Sequence, residues 1–228
     1  MNREDNFKEK FKEALISTLK VISDDYKVNE NENKNLKSKN YNFLEIDSIK
    51  NKQDYNKIRA ETDSEALKRK FSNNNIYQKN SPNNSSCKLL YNISEKIRYE
   101  VLGTKMLKGI SRNLKNNYSY KLLNKKKDHI KSKEDVEIAE AFELYMLKNF
   151  MEIQLDSLSE KILSYWEKDF NNSFKKHIKY LYENLENQES YNTKFSEILQ
   201  NMEIFESENN EDEKKTEGEN KQDENNSN

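Results

Sequence analysis

Apolar residues recur at steps of three and four along most of this chain, and runs of Asn, Lys and Glu separate the recurring stretches. Residues three and four apart share one face of an α-helix, so this is a helical period. The first stretch, Phe7, Phe11, Ala14, Leu15, Leu19 and Ile22, predicts an amphipathic helix ending near residues 23–25. Short alternation at Tyr26–Glu30 and Tyr41–Ile46 permits a small β-hairpin around a polar connector. Asp47 or Ser48 is placed to cap a second helix, in which Tyr55, Ile58, Thr62, Ala66 and Phe71 form a weaker stripe. The run SNNNIYQKNSPNNSS, residues 72–86, reads as a loop holding the single proline, Pro82.

Leu89, Leu90, Ile93, Ile97 and Val101 carry a third helix through the segment Glu95–Leu114, EKIRYEVLGTKMLKGISRNL, which contains two of the three glycines. A glycine in a helix interior costs roughly 1 kcal/mol relative to alanine. Gly103 and Gly109 therefore predict a bend or the close approach of another backbone, with a helix break before a surface loop as the plainer alternative. Lys121–Lys133 reads as a basic connector, and Val136, Ala139, Phe142, Tyr145 and Met146 as a fourth helix, apolar over a broad side and hence central. Ile162, Trp166, Phe170, Phe174, Ile178, Leu181 and Leu185 predict one long helix, with Ser157 or Ser159 as its cap and Ser157 at capping-box spacing from Glu160. Tyr191, Phe195, Leu199 and Met202 close the pattern. The expected architecture is mainly α: an irregular multi-helix bundle over residues 1–205, then an acidic tail, 206–228, without apolar residues and expected to be disordered.

Composition changes this picture little. Hydrophobic residues make up 33% and charged residues 36%, too polar for a chain that is globular throughout, whereas 11% aromatics are too many for full disorder. Residues 206–228 hold nine acids and three lysines, so residues 1–205 carry about +5 within an overall net charge of -1. Cys87 is the only cysteine, which fits a reducing compartment, and no stretch approaches the ~20 apolar residues of a membrane span. The amino terminus lacks a signal peptide's apolar core, so a cytoplasmic location is expected.

Few residues invite chemistry. Glycines at 103, 109 and 218 leave no phosphate-cradling loop. His129 reads as a solvated loop residue and His177 as a boundary residue, and neither has the spacing of a zinc site. Cys87 reads as a small apolar residue and Trp166 as core. Glu140 and Glu143 are expected on a solvated helix face, although carboxylates so spaced also suit a divalent cation. The Lys121–Lys133 run is suited to nucleic-acid phosphates, but lacks the interleaved aromatics and arginines that stack bases.

The segment Glu95–Leu114 resembles the cobaltochelatase CobT subunit family, in which Glu, Arg, Glu and Gly are followed by a second Gly and an Asn-Leu pair. The matching positions are Glu95, Arg98, Glu100, Gly103, Gly109, Asn113 and Leu114. Flanking stretches are similar to the family in the same order: Arg59, Asp63, Ala66, Leu67 and Lys70 upstream, then AEAFELYMLKN, LSEKILSYWEKDF and YNTKFSEILQNM. The family's pattern continues through an acidic linker into a von Willebrand A domain. Residues 206–228 resemble the start of that linker, truncated before the domain.

The resemblance implies a non-catalytic subunit of an ATP-dependent, ligase-class cobaltochelatase in cobalamin biosynthesis. Its partners would be a CobS-like AAA+ ATPase and a CobN-like large subunit that inserts cobalt into the corrin ring. ATP, Mg and cobalt would act on those partners, leaving no cofactor, no catalytic residue and no metal ligand in this chain. The partner-binding surface is expected around Arg98, Glu100, Arg112 and Asn113, beside the motif glycines Gly103 and Gly109. A helical nucleic-acid-binding module and a purely structural remnant are the alternatives.

Overall fold

The computed structural model describes residues 3–25, 49–125 and 130–202. The hairpin expected at 26–30 and 41–46, the capping positions Asp47 and Ser48, His129, residues 126–129 of the basic run and the tail 206–228 lie outside them. The described residues form ten α-helices and no strand. None of these helices is long and apolar enough to cross a membrane.

Helix α1, Arg3–Ser23, buries Leu15, Leu19 and Ile22, while Phe7 and Phe11 meet the ring of Tyr55 edge-on at 5.5 and 5.0 Å. It packs along α2, Lys52–Phe71. The α2 cap is Asn51, whose side chain accepts from the Gln53 and Asp54 amides while the Asp54 carboxylate accepts from the Asn51 amide, a reciprocal capping box. The stripe of α2 looks weak in sequence because α1, α4 and α5 all pack against it, leaving no single apolar side.

The expected loop at 72–86 contains a short helix, α3, Asn74–Asn80. Asn73 caps it through the amides of Asn75 and Ile76, so an asparagine run that reads as loop supplies a helix start instead. Helix α4, Ser85–Met106, is capped by Asn84 and buries Leu90, Ile97 and Val101. Leu107 alone, in extended conformation, separates it from α5, Lys108–Leu123. The plainer expectation of a loop after the glycines therefore fails: two helices abut at one residue.

A 3-10 turn at Lys133–Asp135 leads into α6, Ile138–Phe150, which buries seven residues and lies in the centre, as its breadth predicts. The expected long helix is three: α7, Ser157–Ser164, α8, Glu167–Phe174, and α9, Ile178–Glu183. Successive steps of four residues advance about 40° each around a helix of 3.6 residues per turn, so by Ile178 a straight helix would have swung its stripe through about 160°. Turns at Tyr165–Trp166 and 175–177 restore the direction, and Phe170, Phe174 and Leu181 all face inward. The cap of α7 is Asp156, neither serine: its carboxylate accepts from the Ser159 amide at 2.8 Å.

Helix α10, Gln188–Gln200, completes the core, where Phe142 of α6 meets Phe170, Phe174 and Phe195 at 5.3–6.0 Å. Against α3 it forms a polar seam. Gln188 exchanges two hydrogen bonds with the Asn73 backbone, Thr193 donates to the Asn80 side chain, and Ser196 donates to the Asn80 carbonyl. Lys79 pairs with Glu189 at 2.7 Å. Asn192, on the same face as Gln188 and Ser196, is fully buried, and among the described residues neither its amide nitrogen nor its oxygen has a hydrogen-bond partner.

Candidate functional site at the packing of α2, α4 and α5

Arg98 and Glu95 are one helical turn apart on α4, a spacing that places both side chains on one face. That face points inward. Arg98 is only 1% exposed, and Glu95 only 4%. The guanidinium donates from Nε to Glu95 Oε2 at 2.8 Å and from Nη2 to Oε1 at 2.9 Å, a two-pronged pair. Its remaining donors reach the Leu185 carbonyl, at 2.7 Å from Nη1, and the Phe71 carbonyl, at 2.5 Å from Nη2. Glu95 Oε1 also accepts from Ser72 and from Gln188 Nε2. A single arginine thus ties the end of α2, the middle of α4 and the turn between α9 and α10.

A second buried acid, Glu100, sits between α2 and α5. Ser64 Oγ donates to Oε1 at 2.5 Å and the Tyr118 hydroxyl donates to Oε2 at 2.6 Å. Among the described residues no cation is ion-paired with it. Burial, then the charge of Glu100 and its hydrogen bond, hold the Tyr118 phenol well above its ordinary range. Glu100, Tyr99 and Tyr118 form the floor of a cleft of about 320 Å³ whose rim carries Lys68, Lys96 and Lys121. The ammonium groups of Lys96 and Lys121 lie 5.4 and 5.9 Å from the centre of the Tyr118 ring.

The third acid, Asp63, accepts from Asn113 Nδ2 at 2.7 Å, linking α2 to α5. Burial pushes its carboxyl up, and the Asn113 hydrogen bond and the charge of Arg59 pull it part of the way back. Gly103 completes the joint: a Cβ there would lie 2.3 Å from Leu67 Cδ1 and 2.9 Å from Leu67 Cγ. The glycine lets α4 approach the α2 leucine side chain, close packing of the predicted kind, although a side chain makes the approach. Around Gly109 nothing lies within 4 Å of a Cβ position.

These placements correct the expected docking surface. Arg98 and Glu100 are interior, because each is consumed by hydrogen bonds that join helices, and they do not present themselves to a partner. Asn113 is half-buried against Asp63, and Arg112 alone of the four is exposed. Ser64, Tyr118 and Gln188, absent from the sequence reading of the site, complete the network. The one signal for Glu95 and Arg98 as a pair is their spacing.

Elsewhere Cys87 is buried, with its Sγ 3.9 Å from the Leu199 carbonyl. Trp166 packs partly into the core, donates from Nε1 to the Val136 carbonyl and lies under the Lys133 ammonium at 3.9 Å. His177 is half-buried at the boundary, where burial and the charges of Lys194 and Lys176 hold its imidazole below the usual range. Glu140 is paired with Lys125, so the expected solvated acid face is in part a contact between segments. Among the described residues no three His, Cys, Asp or Glu side chains are grouped as metal ligands would be. Chemically, the arrangement holds helices in register.

No curated protein and no solved structure matches the chain. A family model described as cobalamin biosynthesis protein CobT matches residues 5–228. That match spans nearly the whole chain, including the segment from which the Arg98 and Glu100 networks are built, and the chain belongs to the CobT family of cobalamin biosynthesis proteins.

Proposed function

We propose that this chain is a non-catalytic accessory subunit of an ATP-dependent cobaltochelatase-like complex, coupling a CobS-like AAA+ ATPase to a CobN-like subunit that inserts cobalt into the corrin ring. The family match over residues 5–228 carries the reading. Its physical support is the use made of the buried polar groups. Arg98, Glu95, Glu100 and Asp63 each join helices from different parts of the chain, and such cross-links let a push on one helix displace the others together. ATP hydrolysis and metal insertion belong to the partners in this scheme. Of the expected surface, Arg112 is the exposed residue.

Reconstitution tests it. With the AAA+ and large subunits, the chain is expected to co-elute in the presence of ATP and to raise cobalt insertion above that of the two partners alone. Failure of both partners to retain it, or ATP turnover by the purified chain on its own, overturns the proposal.

A further inference from the structure

We propose that the outer face of α5 is occupied by this chain's own acidic segment, residues 206–228. The inference stands apart from the functional proposal and begins with charge. Among the described helices of eight or more residues, α5 is the one without an Asp or Glu. The acid-free run is longer than the helix: no carboxylate side chain occurs from Val101 to Lys127, while Lys105, Lys108, Arg112, Lys115, Lys121 and Lys125 all fall within it.

The fold turns Lys108 and Arg112 outward, with Lys115 beside them. Ile110, Leu114, Tyr118 and Leu122 are buried on the side of α5 that meets α2 and α4. Lys108, Arg112, Asn116, Ser119 and Leu123 follow at steps of three and four on the exposed side. Among the described residues Lys108, Arg112 and Lys115 have no ion-pair partner, whereas Arg69 of α2 is held by Glu65, and Lys148 of α6 by Glu160 and Glu167; Lys121 lies on the other side of α5, in the Glu100 cleft. Lys108 and Arg112 are like charges four apart on one helix, an arrangement that an incoming anion relieves.

The occupant follows from what the rest of the chain contains. Residues 206–228 carry nine acids, three lysines and no apolar side chain, so attraction through charge alone, with no shaped groove, is the interaction open to them. The 26 residues after Met202 span up to about 90 Å when extended, whereas a folded body of this size has a radius of gyration of ~16 Å. Any point on α5 is within reach. Tethering holds the segment at an effective concentration in the millimolar range, at which weak ionic attraction fills the face. The segment then competes with any other polyanion, such as nucleic-acid phosphates or an acidic protein surface, for the same lysines.

Zero-length carbodiimide cross-linking of the full chain at low salt, mapped by mass spectrometry, tests this. Lys52, Lys88 and Lys168, exposed on helices that do carry acids, serve as references. The expected result is intramolecular linkage of the 206–224 acids to Lys108 and Lys115, at least about five-fold above the references, falling to their level at high salt. The exposed-site double variant Lys108→Ser and Arg112→Ser is expected to lose the enrichment at Lys115 as well. An even spread over all lysines overturns the proposal. So do links found only between molecules, which assign the face to a second copy, and protection of these lysines by added DNA with no linkage to the segment, which assigns it to nucleic acid.

Discussion

Arg98 shows how one side chain can hold distant parts of a chain. Three of its donor nitrogens are engaged by a carboxylate and two carbonyls in the interior, and no shorter or non-planar cation reproduces that fork. Arg98→Met is expected to cost about 3–5 kcal/mol, since it leaves the Glu95 charge buried without its partner. Arg98→Lys should recover less than half of that loss, and urea denaturation of both variants checks the pair. The glycines make an opposed pair. Gly103→Ala forces a methyl against the fully buried Leu67 and is expected to cost about 1–3 kcal/mol, in part restored by Leu67→Val. Gly109→Ala meets open space in the first turn of α5 and is expected to stabilise by about 0.5–1 kcal/mol. Sequence spacing puts Glu95 and Arg98 on one face, but cannot tell that the face is interior. Charged side chains are almost never fully buried unless paired, and the carbonyl of Leu185 that completes the pairing lies 87 residues away.

Among the helices, periodicity is most readable where one side is buried and least where several are. Helix α6 and the stripe of α10 stand where the pattern puts them, whereas α2, wrapped by three neighbours, reads as weak. Helix α3 is too short for a period and has no fully buried residue, so its asparagine cap is its main signal. The breaks between α7, α8 and α9 carry no glycine or proline; they are tertiary in origin, set by the need to keep a stripe of four-residue steps against α6 and α10. The seam between α3 and α10 offers a direct measurement. Asn192 has lost water without gaining a partner, a cost of about 1–3 kcal/mol for such a group. Asn192→Leu, close in shape, is expected to raise stability by about 1 kcal/mol, read as a higher urea midpoint with an unchanged slope.

For the molecule as a whole, helical class was legible, as was family, from motifs spread along most of the chain. Which polar residues face solvent was not, because that depends on how ten helices meet. The buried acids also shape the response of the entire fold to pH. The folded-state carboxyl of Asp63 is raised above its ordinary value by burial. Its contribution to stability is therefore full below the unfolded value of about 4 and is lost as pH rises through the folded one. Asp156 runs the other way: its carboxylate is held low by the nearby Ser159 side chain and by the hydrogen bond it accepts from the Ser159 amide, and its contribution is lost as pH falls. Asp63→Asn keeps an acceptor for Asn113 and removes the charge. Measured by denaturation from acid to neutral pH, the variant is expected to gain on the natural protein steadily as pH rises, with the smallest difference at the acid end.

The seam between α3 and α10 also bears on how the molecule is made. Its bonds join residues 110 to 116 positions apart, whereas Asp63 with Asn113 and Ser64 with Glu100 close over 50 and 36. On a ribosome adding about 5–20 residues per second, helices α2, α4 and α5 can assemble while the last third of the chain is still being translated. During those seconds Glu95 has its arginine but not Gln188, and the guanidinium lacks the Leu185 carbonyl. The nascent chain therefore waits with its central ion pair half-dressed, and the emergence of α10 is the event that locks it.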